Sequence, residues 1–407
     1  MYRRQLLRGL MASSLIWPMT ALTQAIAEPV RRRRIVVVGA GAFGGWTALT
    51  LARTGAEVTL IEAWDPGHPR ASSGGETRVI RHMYTDPLYA GMAARSLALF
   101  QRSEQDWGET LFHRSGVLFL GQNQAGDYLR AASAALNEEN IAFERLDRDA
   151  IAARWPQIAL DGIEQASYEP QSGYLLARRA CHAVTQAFRR SGGRVIRARA
   201  RPGSARAGVL RSVELDNGNT VSADAFVFAC GPWLPALFPD LLAPLLSLSR
   251  QEVYYFGIPA GNRAHDEGAL PVWADFGPRL WYGIPGSERR GFKIADDSHG
   301  PKIDPEDADR IPSRDGVEAA RSYMAKRFPA LAEAPLVDAR VCQYTNTKSG
   351  DFIVDRHPEA SNLWLVGGGS GHGFKHGPAL GELVAESVLG ERVVEQTFAL
   401  ARHRHAS

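Results

Sequence analysis

Gly39, Gly41 and Gly44 follow directly on the apolar run Ile35-Val-Val-Val38, and a second run, Val58-Thr-Leu-Ile61, ends at Glu62. Each type and spacing has a chemical use. Gly39 allows a tight turn, Gly41 lets the backbone approach a pyrophosphate, and Gly44 lets a helix pack closely on a strand. The pyrophosphate would rest on the helix N-terminus, where unpaired amides and the helix dipole favour an anion. The Glu62 carboxylate stands where it can accept hydrogen bonds from ribose hydroxyls. The same stretch continues through a small-residue loop to Arg78, Arg81 and His82, so a dinucleotide site runs into a cluster of cationic side chains.

These groups need a strand, turn, helix, strand frame, and the surrounding patterns supply one. A helical stretch from Asp127 to Asn140 and a strand from Gly116 to Leu120 follow the first unit. Helical spacing at Ala177–Ser191 leads into a strand at Arg194–Arg197. Asn217-Gly218 marks a hairpin turn, and Ala225–Ala229 reads as a buried strand ending at Cys230. From Glu252 to Lys293 the sequence is strand-rich and aromatic, as an antiparallel sheet with one wet face requires. A helix returns at Arg314–Arg327. Leu363-Trp-Leu-Val366 then gives a strand, followed by a glycine-rich turn and a helix beginning near Pro378. We expect a discontinuous nucleotide domain over 31–115, 170–250 and 335–395, with a sheet-based substrate domain over 116–169 and 251–334. The last helix either directs its N-terminus at the cofactor or uses its glycines to pack on the sheet.

At 407 residues and 45% hydrophobic, the chain can build more than one core. Its net charge of +3 comes from Arg3, Arg4 and Arg8; without residues 1–27 it falls to zero. A neutral chain has no general electrostatic reason to bind nucleic acid, and Arg31–Arg34 reads as a solvated strand entry. Residues 1–27 combine paired arginines, a short apolar stretch interrupted by Pro18, and Ala25-Ile-Ala27. This pattern resembles a cleaved twin-arginine signal, which implies the Tat export machinery as a partner, a periplasmic or otherwise exported destination, and no stable membrane anchor after cleavage. That route carries folded proteins, which suits a protein loaded with its cofactor in the cytoplasm. Cys181, Cys230 and Cys342 are odd in number and widely spaced, and form neither a disulfide framework nor a metal pattern.

Four further segments, in order, carry a family resemblance: Gly75-Glu-Thr-Arg-Val-Ile-Arg-His82; Gly291-Phe-Lys293 with Lys302-Ile-Asp-Pro305; Cys342-Gln-Tyr344; and Gly371-His-Gly-Phe-Lys375. From Arg34 to the last helix the chain resembles the monomeric sarcosine oxidase and N-methyltryptophan oxidase family, within the D-amino acid oxidase group. The resemblance implies an α/β fold: an FAD-binding Rossmann-type, glutathione-reductase-like domain with an inserted mixed antiparallel-sheet substrate domain. It implies FAD as cofactor, bonded covalently through Cys342, with Gly371 and Lys375 also bordering it. Arg81 and Lys375 correspond to the pair that holds a substrate carboxylate, Arg78 to an arginine near the flavin ring, and Lys293 to a lysine that activates oxygen. Tyr282 and Tyr344 correspond to active-site aromatics. Read without the family, Cys342 is a core residue, Arg78 an ion-pair partner of Glu76 or another carboxylate, Lys293 a snorkelling strand-end lysine, and the tyrosines ordinary sheet aromatics.

Two departures bear on the substrate. Gly74 stands where relatives carry histidine, which opens space near the flavin, and Asp297 replaces a second family histidine. Asp297 either points into the site, where it would pair with a positive group on the substrate, or lies on a solvated loop beside Asp296. The expected activity is oxidation of an N-substituted or cyclic amino acid at its C-N bond, with O2 reduced to hydrogen peroxide and the resulting imine hydrolysed. No residue is assigned as a general base. The alternatives are a flavin dehydrogenase of the same fold that passes electrons to a quinone or protein acceptor, and a non-catalytic flavin-binding partner protein.

Overall fold

The strand Arg34–Val38 is buried on both faces because its side chains feed two cores. Ile35 and Val37 join Trp46, Leu49 and Val184, whereas Val36 and Val38 join Phe226 and Phe228 on the opposite side. An unbroken β-branched run is what a strand covered on both faces requires. In this computed structural model, which describes residues 32–122, 125–306 and 309–405, that strand is central in a six-stranded sheet. The order is Ile353–His357, Ala360–Gly367, Ala225–Phe228, Arg34–Val38, Glu57–Glu62, Arg194–Arg197. All neighbours are parallel except the first pair. The export signal expected over 1–27 lies outside the described residues.

Helix Ala42–Arg53 returns from the central strand and packs against helix Gly377–Leu389. The two come close because Gly377 and Gly381 carry no side chain. A Cβ at Gly377 would lie 2.8 Å from Trp46 Cδ1, and one at Gly381 would lie 2.8 Å from the Trp46 backbone carbon. Trp46 fills the space released and packs against Phe100 and Trp107, at centroid distances of 5.3 and 5.8 Å.

The second large sheet has eight strands. Their order is Leu336–Asn346, Ser247–Phe256, Phe292–Asp296, Leu280–Ile284, Val272–Phe276, Val117–Gly121, Gln165–Glu169, Glu144–Asp147. The pairing is antiparallel apart from Val272–Phe276 against Val117–Gly121. Helix Arg314–Arg327 covers one face, burying Ala320 and Met324 against Tyr254, Phe256 and Trp273. The strand Leu336–Asn346, placed by sequence with the nucleotide segments, instead pairs with Ser247–Phe256 in this sheet. Its apolar pattern fits either layer, and only long-range pairing decides between them. A three-stranded sheet, in which Thr77–Ile80 pairs with Gly173–Leu176, carries the arginine segment. No helix of the described residues is long and apolar enough to cross a membrane.

Candidate active site

A cavity of about 250 Å³ opens at the C-terminal ends of the parallel strands, bordered by Gly39, Gly41, Glu62, Gly369 and Gly371. Much of its inner wall is backbone. Gly39 has φ +101°, and a Cβ there would stand 2.5 Å from the Ala229 carbonyl oxygen. A Cβ on Gly44 would lie 1.9 Å from the Gly39 carbonyl oxygen, so the helix can start here only with glycine. Gly44 does not border the cavity; it brings the helix close. The first turn of that helix has no acidic residue and no side-chain cap on its N-cap residue, and Ser73 Oγ accepts from Ala42 N at 2.9 Å. Glu62 accepts from Ala40 N at 2.7 Å and from Trp64 N at 3.1 Å, while burial raises its carboxyl above the ordinary value.

Beyond the inner wall, the turn after strand Ala360–Gly367 forms a glycine-lined edge. Gly368 and Gly371 have φ of +67° and +79°, and Ser370 is held at +44°. A Cβ on Gly373 would lie 2.7 Å from Phe43 Cζ, and one on Gly371 would lie 2.6 Å from Tyr344 Cε2. At the mouth, Trp64 and Trp233 meet at 4.9 Å, and Glu306 accepts from Trp233 Nε1 at 2.6 Å and from Arg199 at 3.0 and 3.1 Å. Trp64, Arg199 and Glu306 were not picked out from sequence, since surface aromatics and charges give no local signal of a cavity rim.

A second cavity, of about 100 Å³, adjoins the first and shares Arg78, Tyr344, Gly371 and Phe374 with it. Here side chains from distant segments converge: Arg81, Tyr282, Asp297, Cys342 and Lys375. Arg81 and Lys375 flank one ring, the guanidinium 4.2 Å and the ammonium 5.5 Å from the Tyr84 centroid. Lys375 Nζ donates to Tyr84 Oη and to the His372 carbonyl, both at 2.9 Å. Burial, reinforced by Arg81, drives the Lys375 ammonium well below its ordinary value. Burial and Lys375 together push His372 down to about 3, leaving it neutral. His376 Nε2 lies 3.0 Å from the Tyr84 hydroxyl. The half-buried Arg81 and the buried Lys375 beside one phenol form a site for an anion. Tyr84 was not picked out from sequence; its position two residues after His82, beside the arginine cluster, is the signal that marks it in retrospect.

Arg78 is not paired with Glu76. Its guanidinium donates to the carbonyls of Thr77 and Ser72, both at 2.9 Å, and to that of Gly74, and stands 3.7 Å from Cys342 Sγ. Glu76 instead binds Arg340, Arg290 and Arg178. Cys181 lies in the core, where burial pushes its thiol up to about 12; Cys230 contacts the Val38 carbonyl at 3.5 Å, and burial raises its thiol as well. Cys342 is therefore the cysteine with a cation at its sulfur. Asp297 points into the second cavity, and Tyr344 Oη donates to its Oδ1 at 2.8 Å. Lys293 does not border either cavity. It is 2% exposed, with Nζ 3.0 Å from the Thr77 carbonyl and 5.6 Å from the Tyr282 ring centroid. Burial, with Arg78 adding to it, pushes its ammonium down to about 7. Among the described residues no cluster of three His, Cys, Asp or Glu could hold a metal.

A glycine-built dinucleotide cleft joined to a pocket of charged side chains is the arrangement of a flavin-dependent redox enzyme. Residues 34–387 match the family of FAD dependent oxidoreductases, and the chain belongs to it. It is 30% identical over 363 residues to monomeric sarcosine oxidase of Bacillus sp. (strain B-0618), covering 87% of this chain and 92% of that one. It is 27% identical over 369 residues to N-methyl-L-tryptophan oxidase of Salmonella arizonae, covering 87% and 94%. The fold is also that of L-proline dehydrogenase from P. horikoshii, with TM-score 0.81 and 20% identity over 93% of this chain and 99% of that one. The first cavity fits FAD on its own evidence: a helix start that tolerates only glycine, a first helical turn without an acidic residue, and the Glu62 carboxyl on the neighbouring strand.

Proposed function

We propose that this enzyme oxidises the C-N bond of an N-substituted amino acid, N-methyl or cyclic, and passes the electrons to O2. The observation that carries the reading is the convergence of Arg81 and Lys375 on Tyr84 at the wall of a cavity adjoining the FAD cleft. A planar guanidinium can take a carboxylate in bidentate fashion, and an ammonium adds a second charge. Mutual repulsion of Arg81 and Lys375 is relieved when a carboxylate enters, so anion binding is favoured beyond its hydrogen bonds. FAD, when bound, supplies the acceptor for the electrons of the C-H bond next to nitrogen. The half-buried tyrosines 282 and 344 narrow the cavity and exclude water. Lys293, behind the Thr77 carbonyl, holds positive charge close to where oxygen is reduced.

The Cys342 sulfur is the proposed point of covalent attachment, because it borders the cavity that adjoins the FAD cleft, with the Arg78 guanidinium 3.7 Å away. Acid precipitation of the purified protein tests this: yellow colour should remain with the pellet, and should wash out of Cys342→Ser. Anaerobic mixing with N-methyl and cyclic amino acids tests the activity. Bleaching of the flavin by at least one of them, followed by recovery of colour and hydrogen peroxide on admitting air, is expected. If every amino acid leaves the colour intact, the reading fails. The export route proposed for residues 1–27 rests on the sequence pattern alone, and replacing Arg3 and Arg4 with Lys should strand the protein in the cytoplasm.

A further inference from the structure

We infer that Asp297 anchors the positively charged nitrogen of the substrate and receives its proton, so that the site selects amino acids in their zwitterionic form. The inference rests on the carboxylate clamp proposed above and adds a second recognition point to it.

Three carboxylates border the second cavity: Glu252, Asp296 and Asp297. Two are already neutralised. Glu252 takes Arg250 Nε at 2.8 Å, and Asp296 takes the Arg279 guanidinium. Asp297 has no ion pair within 4.0 Å among the described residues. Its Oδ1 is held by the Tyr344 hydroxyl at 2.8 Å, and its amide donates to the Leu280 carbonyl at 2.8 Å, so the carboxylate is fixed in place. No donor among the described residues reaches Oδ2. A half-buried carboxylate held in a cavity without a cation lacks the partner that would offset its desolvation.

The charged and titratable groups around it come from every neighbouring element. Arg81 and Lys375 lie across the cavity and favour its anion, as does His299 on the exposed loop beyond it. Tyr282 and Tyr344 face it from the sheet, and burial raises both phenols, so they stay protonated. Burial works against the two cations and leaves the Asp297 carboxyl above its ordinary value. The cavity thus has two cations on one side and an unpaired anion on another, which matches a molecule carrying both charges. In an α-amino acid those charges are one carbon apart, so a substrate held at its carboxylate presents its ammonium inside the same cavity.

The proton step balances within this pair. One N-H bond of the ammonium breaks, an O-H bond forms on Oδ2 of Asp297, and the nitrogen lone pair is freed with no change of oxidation state. The substrate carboxylate also neutralises Arg81 and Lys375, which removes their hold on the Asp297 anion and makes it a better proton acceptor. Carboxylate binding and ammonium deprotonation are therefore linked.

The test compares ligands that differ in charge and hardly at all in shape. N,N-dimethylglycine and 3-methylbutanoate are isosteres, as are proline and cyclopentanecarboxylate. Affinities for flavin-loaded wild type and Asp297→Asn are measured by anaerobic calorimetry. Wild type should prefer the nitrogen-containing member of each pair, and Asp297→Asn should lose about tenfold or more of that preference while still binding the nitrogen-free carboxylates. Wild-type affinity for dimethylglycine should also fall as acid protonates Asp297, and Asp297→Asn should not follow. If the variant keeps the wild-type preference, the inference is overturned and the clamp stands. If it loses both members of a pair, Asp297 is a structural residue and the inference is again overturned. If wild type binds no carboxylate at all, the clamp reading falls and takes this one with it.

Discussion

The two adjoining cavities are built by opposite means. The FAD cleft is shaped largely by backbone: Gly39, Gly44, Gly371 and Gly373 are places where a Cβ would strike a neighbour. The substrate cavity owes its chemistry to polar side chains brought together from segments distant in sequence, among them Arg81, Tyr282, Asp297, Tyr344 and Lys375. A backbone-built cleft tolerates little substitution, because the space itself is made by missing atoms. A side-chain-built pocket can exchange its charges without loss of fold, and so it can change substrate. The difference predicts that changes in the first cavity act on folding and cofactor retention, and changes in the second act on kinetics.

The largest effect should come from Gly44→Ala. With the Gly39 carbonyl oxygen 1.9 Å from the new methyl group, the loss should exceed about 4 kcal/mol. It would be read as a lowered denaturation midpoint together with loss of absorbance from bound flavin. A normal melting curve would break the contrast at its strongest point. Arg81→Gln should leave melting and flavin content close to wild type while lowering kcat/KM by about 10³-fold, mostly through KM, since a charge-assisted bidentate contact is lost. Steady-state oxygen uptake measures it.

Lys293→Met should slow reoxidation of the reduced flavin by about 10²-fold and leave anaerobic reduction by substrate unchanged. The pH dependence has a definite sign. Lys293 is charged below about 7 and neutral above it, so the wild-type oxygen rate should decline as pH rises through that value, and the methionine variant should show no such step. Stopped-flow mixing with oxygenated buffer at several pH values reads both. Tyr84→Phe should have the smallest effect, about fivefold in kcat/KM, because it removes the hydroxyl's contacts with Lys375 and His376 and keeps the ring beside both cations. A loss as large as that of Arg81→Gln would mean that Tyr84 does more than position Lys375.

What could be read from the sequence follows the same division. Val36, Gly39 and Gly44 announce their roles locally, because a buried strand and a glycine-only turn leave marks within a few residues of one another. The strands, the Asn217-Gly218 hairpin and the last helix were legible for the same reason. The strand bearing Cys342 pairs outside the nucleotide sheet although its segment reads as part of the nucleotide domain, since nothing in Leu336–Asn346 specifies Ser247–Phe256 as its neighbour. The orientation of Asp297 depends on Tyr344, and the setting of Lys375 on Tyr84, a partner far away in sequence. Of the two readings open for Arg78, the ion pair with Glu76 is excluded because Glu76 is taken by three other arginines, which no local pattern announces.

The Thr77 carbonyl receives Arg78 at 2.9 Å and Lys293 at 3.0 Å. One oxygen thus fastens the arginine strand to the neighbouring sheet while sitting beneath two cations of different function. When Lys293 is removed, Arg78 still holds that oxygen. Pairing with Gly173–Leu176 keeps the arginine strand in place, and the variant alters an electric field without moving a wall.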